Sequence, residues 1–176
     1  MEGAAQELLE KIRIVPDFPQ KGIKFLDLTT LFNDGKVFRK IIDTLADHYK
    51  GVKIDQVVGI EARGFIVASA LALRLGCGVT LVRKPGKLPA ETVSEKYSLE
   101  YGINEIQLHR DAFNSGDNVL LVDDLLATGG TMAATISLVE KLDVKVAGVA
   151  FVVELLFLKG REKFSGHPVF TLIQSN

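Results

Sequence analysis

With 176 residues, the chain is long enough for one well-cored domain and too short for two ordinary ones. A hydrophobic content of 47% against 24% charged residues excludes a disordered chain, and a net charge of −1 gives no general attraction to nucleic acid or to anionic membranes. The single cysteine, Cys77, excludes an internal disulfide and suits a reducing cytoplasm.

Met1 to Ile12 is acidic and amphipathic, with neither the basic start nor the apolar core of a signal peptide. From Ile14 to Leu31 the turn signals Pro16-Asp17-Phe18-Pro19 and Lys21-Gly22 separate isolated apolar residues, so no regular element of the main fold is expected there. Val37, Phe38, Ile41, Ile42, Leu45 and Tyr49 recur at three- and four-residue steps and predict an amphipathic helix. Val57 to Ile60 reads as a buried strand, Phe65 to Leu75 as an apolar helix stopped by Gly76 and Gly78, and Val79 to Val82 as a second strand. Pro85 to His109 is polar, rich in Lys and Glu, and ends in the alternating Glu105-Ile106-Gln107-Leu108, which suggests a hairpin or a lid. Val119 to Val122 is a third strand, Met132 to Leu142 a helix, and Lys145 to Val153 and Val169 to Ile173 later strands. Such alternation predicts an α/β fold with a central, mostly parallel sheet flanked by helices. The longest apolar run, Val146 to Leu158, is interrupted by Glu154 and too short for a membrane span, so a soluble, cytoplasmic protein is expected. His48, His109 and His167 are scattered, with no Cys/His cluster, and read as structural or surface residues.

The chemistry concentrates after the third strand, in Asp123-Asp124-Leu125-Leu126-Ala127-Thr128-Gly129-Gly130-Thr131. A strand, a glycine loop and a helix start, in that order, aim unpaired N–H groups and the positive helix end at one point. Gly129 and Gly130 let the backbone fold closely round a phosphate, and Thr128 and Thr131 add hydroxyl donors. Asp123 and Asp124 would repel a bare phosphate but accept hydrogen bonds from a sugar diol. A phosphate cradle one loop from a diol cradle describes a ribose 5-phosphate site. The loop lacks the Gly-Lys-Ser/Thr of a Walker A sequence, which disfavours nucleoside triphosphate hydrolysis.

Two further segments carry charge at strand ends. Glu61-Ala62-Arg63-Gly64-Phe65 opens a helix where open α/β sheets bind ligands. Arg63 with the amides of Ala62 and Gly64 suits a pyrophosphate oxygen, although an Arg/Glu pair at a helix cap reads equally well. Arg83-Lys84-Pro85-Gly86-Lys87 is by itself a solvated loop, but beside a phosphate loop it becomes a candidate polyanion clamp.

The stretch from Val119 to Thr131 resembles the phosphoribosyl-pyrophosphate (PRPP) motif of type I phosphoribosyltransferases. Val15 to Pro19, Phe25-Leu26-Asp27, Glu61-Ala62-Arg63-Gly64-Phe65, Arg83 to Pro89, Tyr97-Ser98-Leu99-Glu100-Tyr101-Gly102 and Glu154 to Arg161 extend the resemblance, in order, to the adenine-specific branch of that family. The resemblance implies one phosphoribosyltransferase domain over 1–176. An N-terminal helix and small hood would occupy about 1–34, and the core about 35–176, with a flexible catalytic loop at about 85–109. It implies a homodimeric purine-salvage enzyme that turns adenine and PRPP into AMP and pyrophosphate with Mg²⁺, the ion held mainly by PRPP and water rather than by protein ligands. Ala127, Thr128, Gly129, Gly130 and Thr131 would then take the 5-phosphate, and Asp123 with Asp124 the ribose hydroxyls. Ala62, Arg63, Gly64, Arg83, Lys84 and Lys87 would take pyrophosphate, and Phe25 and Leu26 would meet adenine. Glu100 would handle the purine's imidazole proton. Leu26 departs from the family pattern, which carries Arg or Lys there. Two alternatives stay open on the residues alone: a phosphoribosyltransferase for another base, and a regulatory binding module of the same fold. The second lacks the spare length for a DNA-binding domain.

Overall fold

The structure, a computed structural model, describes residues 2–99 and 102–176. Helix α1 (Glu2–Glu10) precedes a hairpin of β1 (Arg13–Pro16) and β2 (Lys24–Asp27), and then α2 (Thr29–Asn33) and α3 (Gly35–His48). Strand β3 (Gln56–Ile60), helix α4 (Gly64–Leu75) and strand β4 (Gly78–Val82) form the first crossover unit. A second hairpin follows, β5 (Thr92–Leu99) and β6 (Gly102–His109). The chain then continues through β7 (Asn118–Leu126), α5 (Gly130–Glu140), β8 (Lys145–Leu155), two short turns of 3₁₀ helix (Leu156–Leu158 and Gly160–Phe164) and β9 (Val169–Ser175).

Five strands make one parallel sheet in the order β4-β3-β7-β8-β9. The uninterrupted apolar runs are its centre: Val57, Val58, Val119 to Val122 and Val149 to Val153 are buried on both sides. Alternation along each strand sends neighbours to opposite faces. Val57, Leu120 and Val122 pack with Ile41, Leu45, Val67 and Leu71 of α3 and α4. Val58, Leu121 and Phe151 pack with Met132, Ile136 and Val139 of α5, and with Ile106 and Leu108 of the second hairpin. Asp34 caps α3, its Oδ1 accepting from the N–H groups of Lys36 and Val37 at 3.0 and 3.2 Å. Among the described residues, no helix is long and apolar enough to cross a membrane.

The segment 85–109 contains an antiparallel hairpin, with Thr92 opposite His109 and Leu99 opposite Gly102. Its stem lies along α5, and reciprocal bonds between the main chains of Arg83 and Gln107, 2.8 and 2.7 Å, join it to the loop after β4. The N-terminal segment is likewise not free of the core, because Leu8 and Ile12 are buried in the cluster that includes α3 and β9.

Several expected boundaries move. The strand predicted to stop at Val122 runs on to Leu126, because β8 extends far enough to pair Asp123 with Phe151 and Leu126 with Glu154. The acids interrupt the apolar pattern without interrupting the ladder. Helix α5 correspondingly starts at Gly130, so Gly130 and Thr131 are its first turn.

Candidate active site

Chain direction makes the crevice. From β3 the chain crosses through α4 to β4, and from β7 it crosses through α5 to β8, on the other side. The C-terminal ends of β3 and β7 are therefore the point where the sheet's winding reverses, the usual ligand position in such sheets.

At the end of β7, Ala127 to Gly129 turn into α5. Gly129 has φ 75°, and the first helical bond runs from the Ala133 N–H to the Gly129 carbonyl, 2.9 Å. Among the described residues, no side chain caps this helix. The N–H groups of Gly130, Thr131 and Met132 are thus left for a ligand, at the positive end of the helix dipole.

The loop rests on backbone. A Cβ at Gly129 would run into the carbonyl of Gly160, and one at Gly160 would run into the carbonyl of Ala127 and lie 3.0 Å from the Gly129 nitrogen. Two glycines from distant segments therefore meet main chain to main chain. Beside Gly160, Arg161 donates from Nε to Oε1 of Glu154 at 2.6 Å and pairs through its Nη2 with Oε2. Glu154 is 1% exposed and also accepts from Thr171 Oγ1 at 3.2 Å and Gln174 Nε2 at 3.4 Å. Burial alone would raise the Glu154 pKa, but Arg161 and these donors hold it below the usual range.

Asp124 is 3% exposed and ion-paired with Nε of Arg63, the residue just before α4. The Asp123 carboxylate accepts from the Asp124 N–H at 2.9 Å. Burial, followed by the charge of Asp124, pushes the Asp123 carboxyl well above the ordinary carboxylate range. Gly64 lies so close to β7 that a Cβ there would sit 2.7 Å from Asp123 Oδ1 and 3.1 Å from the Val122 carbonyl. Gly64 is therefore a contact residue between α4 and the acidic pair.

The guanidinium of Arg63 also stands over the Phe25 ring, 5.7 Å from its centroid, which brings the first hairpin to the same crevice. Phe25 meets Phe18 edge-on at 5.1 Å, and Leu26 is half-buried against the core. Arg83 faces Glu61 at 3.3 Å and donates from Nη1 to the Lys87 carbonyl at 3.1 Å. Glu61 also accepts from the Lys84 N–H at 3.0 Å. That bond and then Arg83 hold the Glu61 carboxyl below its usual range. The side chains of Lys84 and Lys87 are exposed, as is Ala62.

The structure thus brings together Asp123, Asp124, Ala127 to Thr131, Arg63, Gly64 and Phe25, while Arg83, Lys84 and Lys87 sit in the loop after β4. Glu100 lies outside the described residues. Sequence reasoning missed Gly160, the Glu154–Arg161 pair as a support, and Tyr97, whose hydroxyl receives a hydrogen bond from Thr131 Oγ1 at 3.2 Å. The Lys159-Gly160-Arg161 run was the only available signal for Gly160, and it is uninformative without its spatial neighbour. Among the described residues, no three His, Cys, Asp or Glu side chains converge to hold a metal.

A family model for the phosphoribosyl transferase domain matches residues 27–172. The adenine phosphoribosyltransferase of Citrifermentans bemidjiense is 53% identical over 169 residues, spanning 96% of this chain and 99% of that protein. The crystal structure of adenine phosphoribosyltransferase from Thermoanaerobacter pseudethanolicus is 48% identical with a TM-score of 0.94, covering 97% of this chain and 99% of the other. That of the Saccharomyces cerevisiae enzyme, complexed with an imino-altritol bisphosphate and adenine, is 44% identical with a TM-score of 0.92, covering 98% and 100%.

Proposed function

The chain belongs to the phosphoribosyl transferase domain family, in its adenine phosphoribosyltransferase branch, and we propose the following division of labour among its residues. The reaction is transfer of the 5-phosphoribosyl group from PRPP to adenine, giving AMP and pyrophosphate in purine salvage. The observation that carries the assignment of residues is the start of α5, whose N-cap loop rests on Gly160 and directly follows the strand that bears the acidic pair.

In this reading the main chain from Ala127 to Thr131, with the hydroxyls of Thr128 and Thr131, binds the 5-phosphate. Asp123 and Asp124 accept from the ribose diol, and Arg63 exchanges its carboxylate partner for pyrophosphate oxygens. The amides of Ala62 and Gly64 and the side chains of Arg83, Lys84 and Lys87 complete the pyrophosphate subsite. Phe25 stacks on adenine, with Leu26 beside it. As the C1–oxygen bond breaks, its electron pair leaves on pyrophosphate, an adenine imidazole nitrogen bonds to C1, and the imidazole proton passes to Glu100. The acids favour the ribosyl cation and the basic residues favour the departing anion. Alignment of the nitrogen with C1 supplies much of the remaining acceleration.

Magnesium would enter this site carried by PRPP, whose phosphate oxygens and bound water suit an ion that dehydrates reluctantly. When bound, it supplies positive charge to the leaving pyrophosphate.

A homodimer belongs to the same proposal. Ile66 and Leu73, 44% and 85% exposed, lie on one outer face of α4, and Val79 and Leu81 are exposed on the neighbouring edge strand β4. An apolar stripe beside an unpaired edge is a surface that a second copy would cover. A cytoplasmic location is supported by the lone thiol of Cys77, which has no cysteine to pair with.

The test of substrate is direct. Incubated with PRPP, Mg²⁺ and single free bases, the protein should convert adenine to AMP far faster than it converts hypoxanthine or guanine. Equal or better turnover of a 6-oxopurine would overturn the adenine assignment and leave the fold intact.

A further inference from the structure

We propose that Tyr97 is a positioning residue of the 5-phosphate subsite, acting through the hydroxyl of Thr131. Thr131 is the second residue of α5, in the turn whose N–H groups face the ligand position. Its hydroxyl has one hydrogen, and the Tyr97 oxygen lies 3.2 Å away to accept it. A phosphate oxygen is an acceptor and claims the same hydrogen. The Tyr97 hydroxyl carries a hydrogen of its own, so it can turn and donate to Thr131 Oγ1 while Thr131 donates to the phosphate. The pair reverses direction without moving a heavy atom. Tyr97 thereby holds the Thr131 rotamer in place and polarises the donor that the phosphate meets.

Tyr97 is suited to this because its position does not depend on the hydroxyl bond. Its ring is half-buried against the core cluster beneath α5, and β5 is pinned again by Lys141, which pairs with Glu95 and donates to the Ser94 carbonyl at 3.4 Å. Removing the phenolic oxygen should leave the hairpin where it is. The inference rests on reading the α5 start as the 5-phosphate site, and the test separates the two.

Ribose 5-phosphate and inorganic pyrophosphate serve as calorimetric probes of wild type and Tyr97→Phe, alongside steady-state kinetics and a thermal melt. Ribose 5-phosphate should bind Tyr97→Phe about five-fold more weakly, on the scale of one net hydrogen bond. KM for PRPP should rise by the same factor, while kcat, KM for adenine and pyrophosphate affinity stay within about two-fold, the pattern of lost uniform binding. In a Thr131→Val background, Tyr97→Phe should have no further effect on ribose 5-phosphate. Equal affinity of Tyr97→Phe and wild type, an equal loss for pyrophosphate, or additivity in the Thr131→Val background would each overturn the role of Tyr97. Wild-type protein that fails to bind ribose 5-phosphate would instead remove the 5-phosphate reading itself.

Discussion

At the end of β7 the site presents main-chain amides on a loop held by glycine-to-glycine contact with a second segment, with no side-chain cap on the helix that follows. At the ends of β3 and β4 it presents side chains, and the arginine after each strand is already engaged: Arg63 by Asp124, Arg83 by Glu61 and the Lys87 carbonyl. The first region is ready for an anion before one arrives. The second must exchange internal partners for ligand oxygens, so part of the binding energy of pyrophosphate is spent separating ion pairs. Preformed backbone should therefore govern affinity for the 5-phosphate, and competing carboxylates should tune affinity for pyrophosphate. Changes to the two regions should accordingly differ in size and kind.

The largest effect is expected where both regions meet, at the acidic pair. Asp123→Asn should lower PRPP turnover by roughly 10²-fold or more, as for other removed electrostatic stabilisers. The same change should raise the stability of the ligand-free fold. The folded pKa of Asp123 lies above its unfolded value, so the folded state binds the extra proton, and stability falls as pH rises from the unfolded pKa through the folded one. Asparagine removes that loss and still accepts from the Asp124 N–H. The melting temperature of Asp123→Asn should match wild type at about pH 4, near the unfolded pKa, and exceed it increasingly towards neutrality. A variant less stable than wild type at pH 7 would mean that the charged form of Asp123 is not penalised in the fold.

Gly160→Ala tests the preformed half without touching a ligand group. The added Cβ meets the Ala127 carbonyl, so the phosphate loop must shift, at a stability cost of about 1–3 kcal/mol for overpacking. A displacement of that kind should lower kcat/KM for PRPP by about 10²-fold, as small misplacements do. Pyrophosphate binding measured by calorimetry should change much less. Equal losses for both ligands would merge the two regions into one unit.

Glu61→Gln probes the other half and should act more mildly and in the opposite direction. Glutamine keeps an acceptor for the Lys84 N–H but releases Arg83 from a full charge, so pyrophosphate should bind several-fold more tightly, within the ~0.2–1 kcal/mol range of partly exposed ion pairs. Weaker binding would show that Glu61 orders the loop more than it competes for the arginine.

The two regions also differ in how much of them the sequence disclosed. The loop after β7 was legible as a candidate phosphate cradle because strand, glycines and helix are consecutive, and their spacing alone implies converging amides. The alternating strands and helices likewise predicted the parallel sheet and its covered faces. The support under the loop was not legible, since the contact of Gly129 with Gly160 involves no side chain and joins segments far apart in sequence. The length of β7 was hidden by Asp123 and Asp124, whose charge looks like a strand end although Leu126 beyond them is buried. Arg63 was assigned to pyrophosphate, but only the folded chain shows its present partner, because nothing in the spacing of residues 63 and 124 brings them together. Tyr97 escaped for the same reason: a tyrosine in a polar hairpin gives no hint that its oxygen reaches the first turn of α5.

The smallest effect is expected at Leu26, where the resemblance leads to the expectation of a cation. Leu26 follows Phe25 in β2 and is half-buried against the core cluster. The positive charge nearest the Phe25 ring is already supplied by Arg63, 5.7 Å from its centroid. Neutral adenine gains little from a second full charge, and main-chain groups can read its polar edge. Leu26→Arg should therefore cost about 1 kcal/mol of stability through lost apolar burial, with the long arginine stem recovering part of it by lying along the same surface. KM for adenine, measured at saturating PRPP, should stay within about two-fold of wild type, because a change confined to hood packing alters neither ground-state nor transition-state contacts. A several-fold fall in KM at constant kcat would show the reverse. The cation would then be a base-binding group that this chain lacks, and the hood would need to be grouped with the side-chain half of the site.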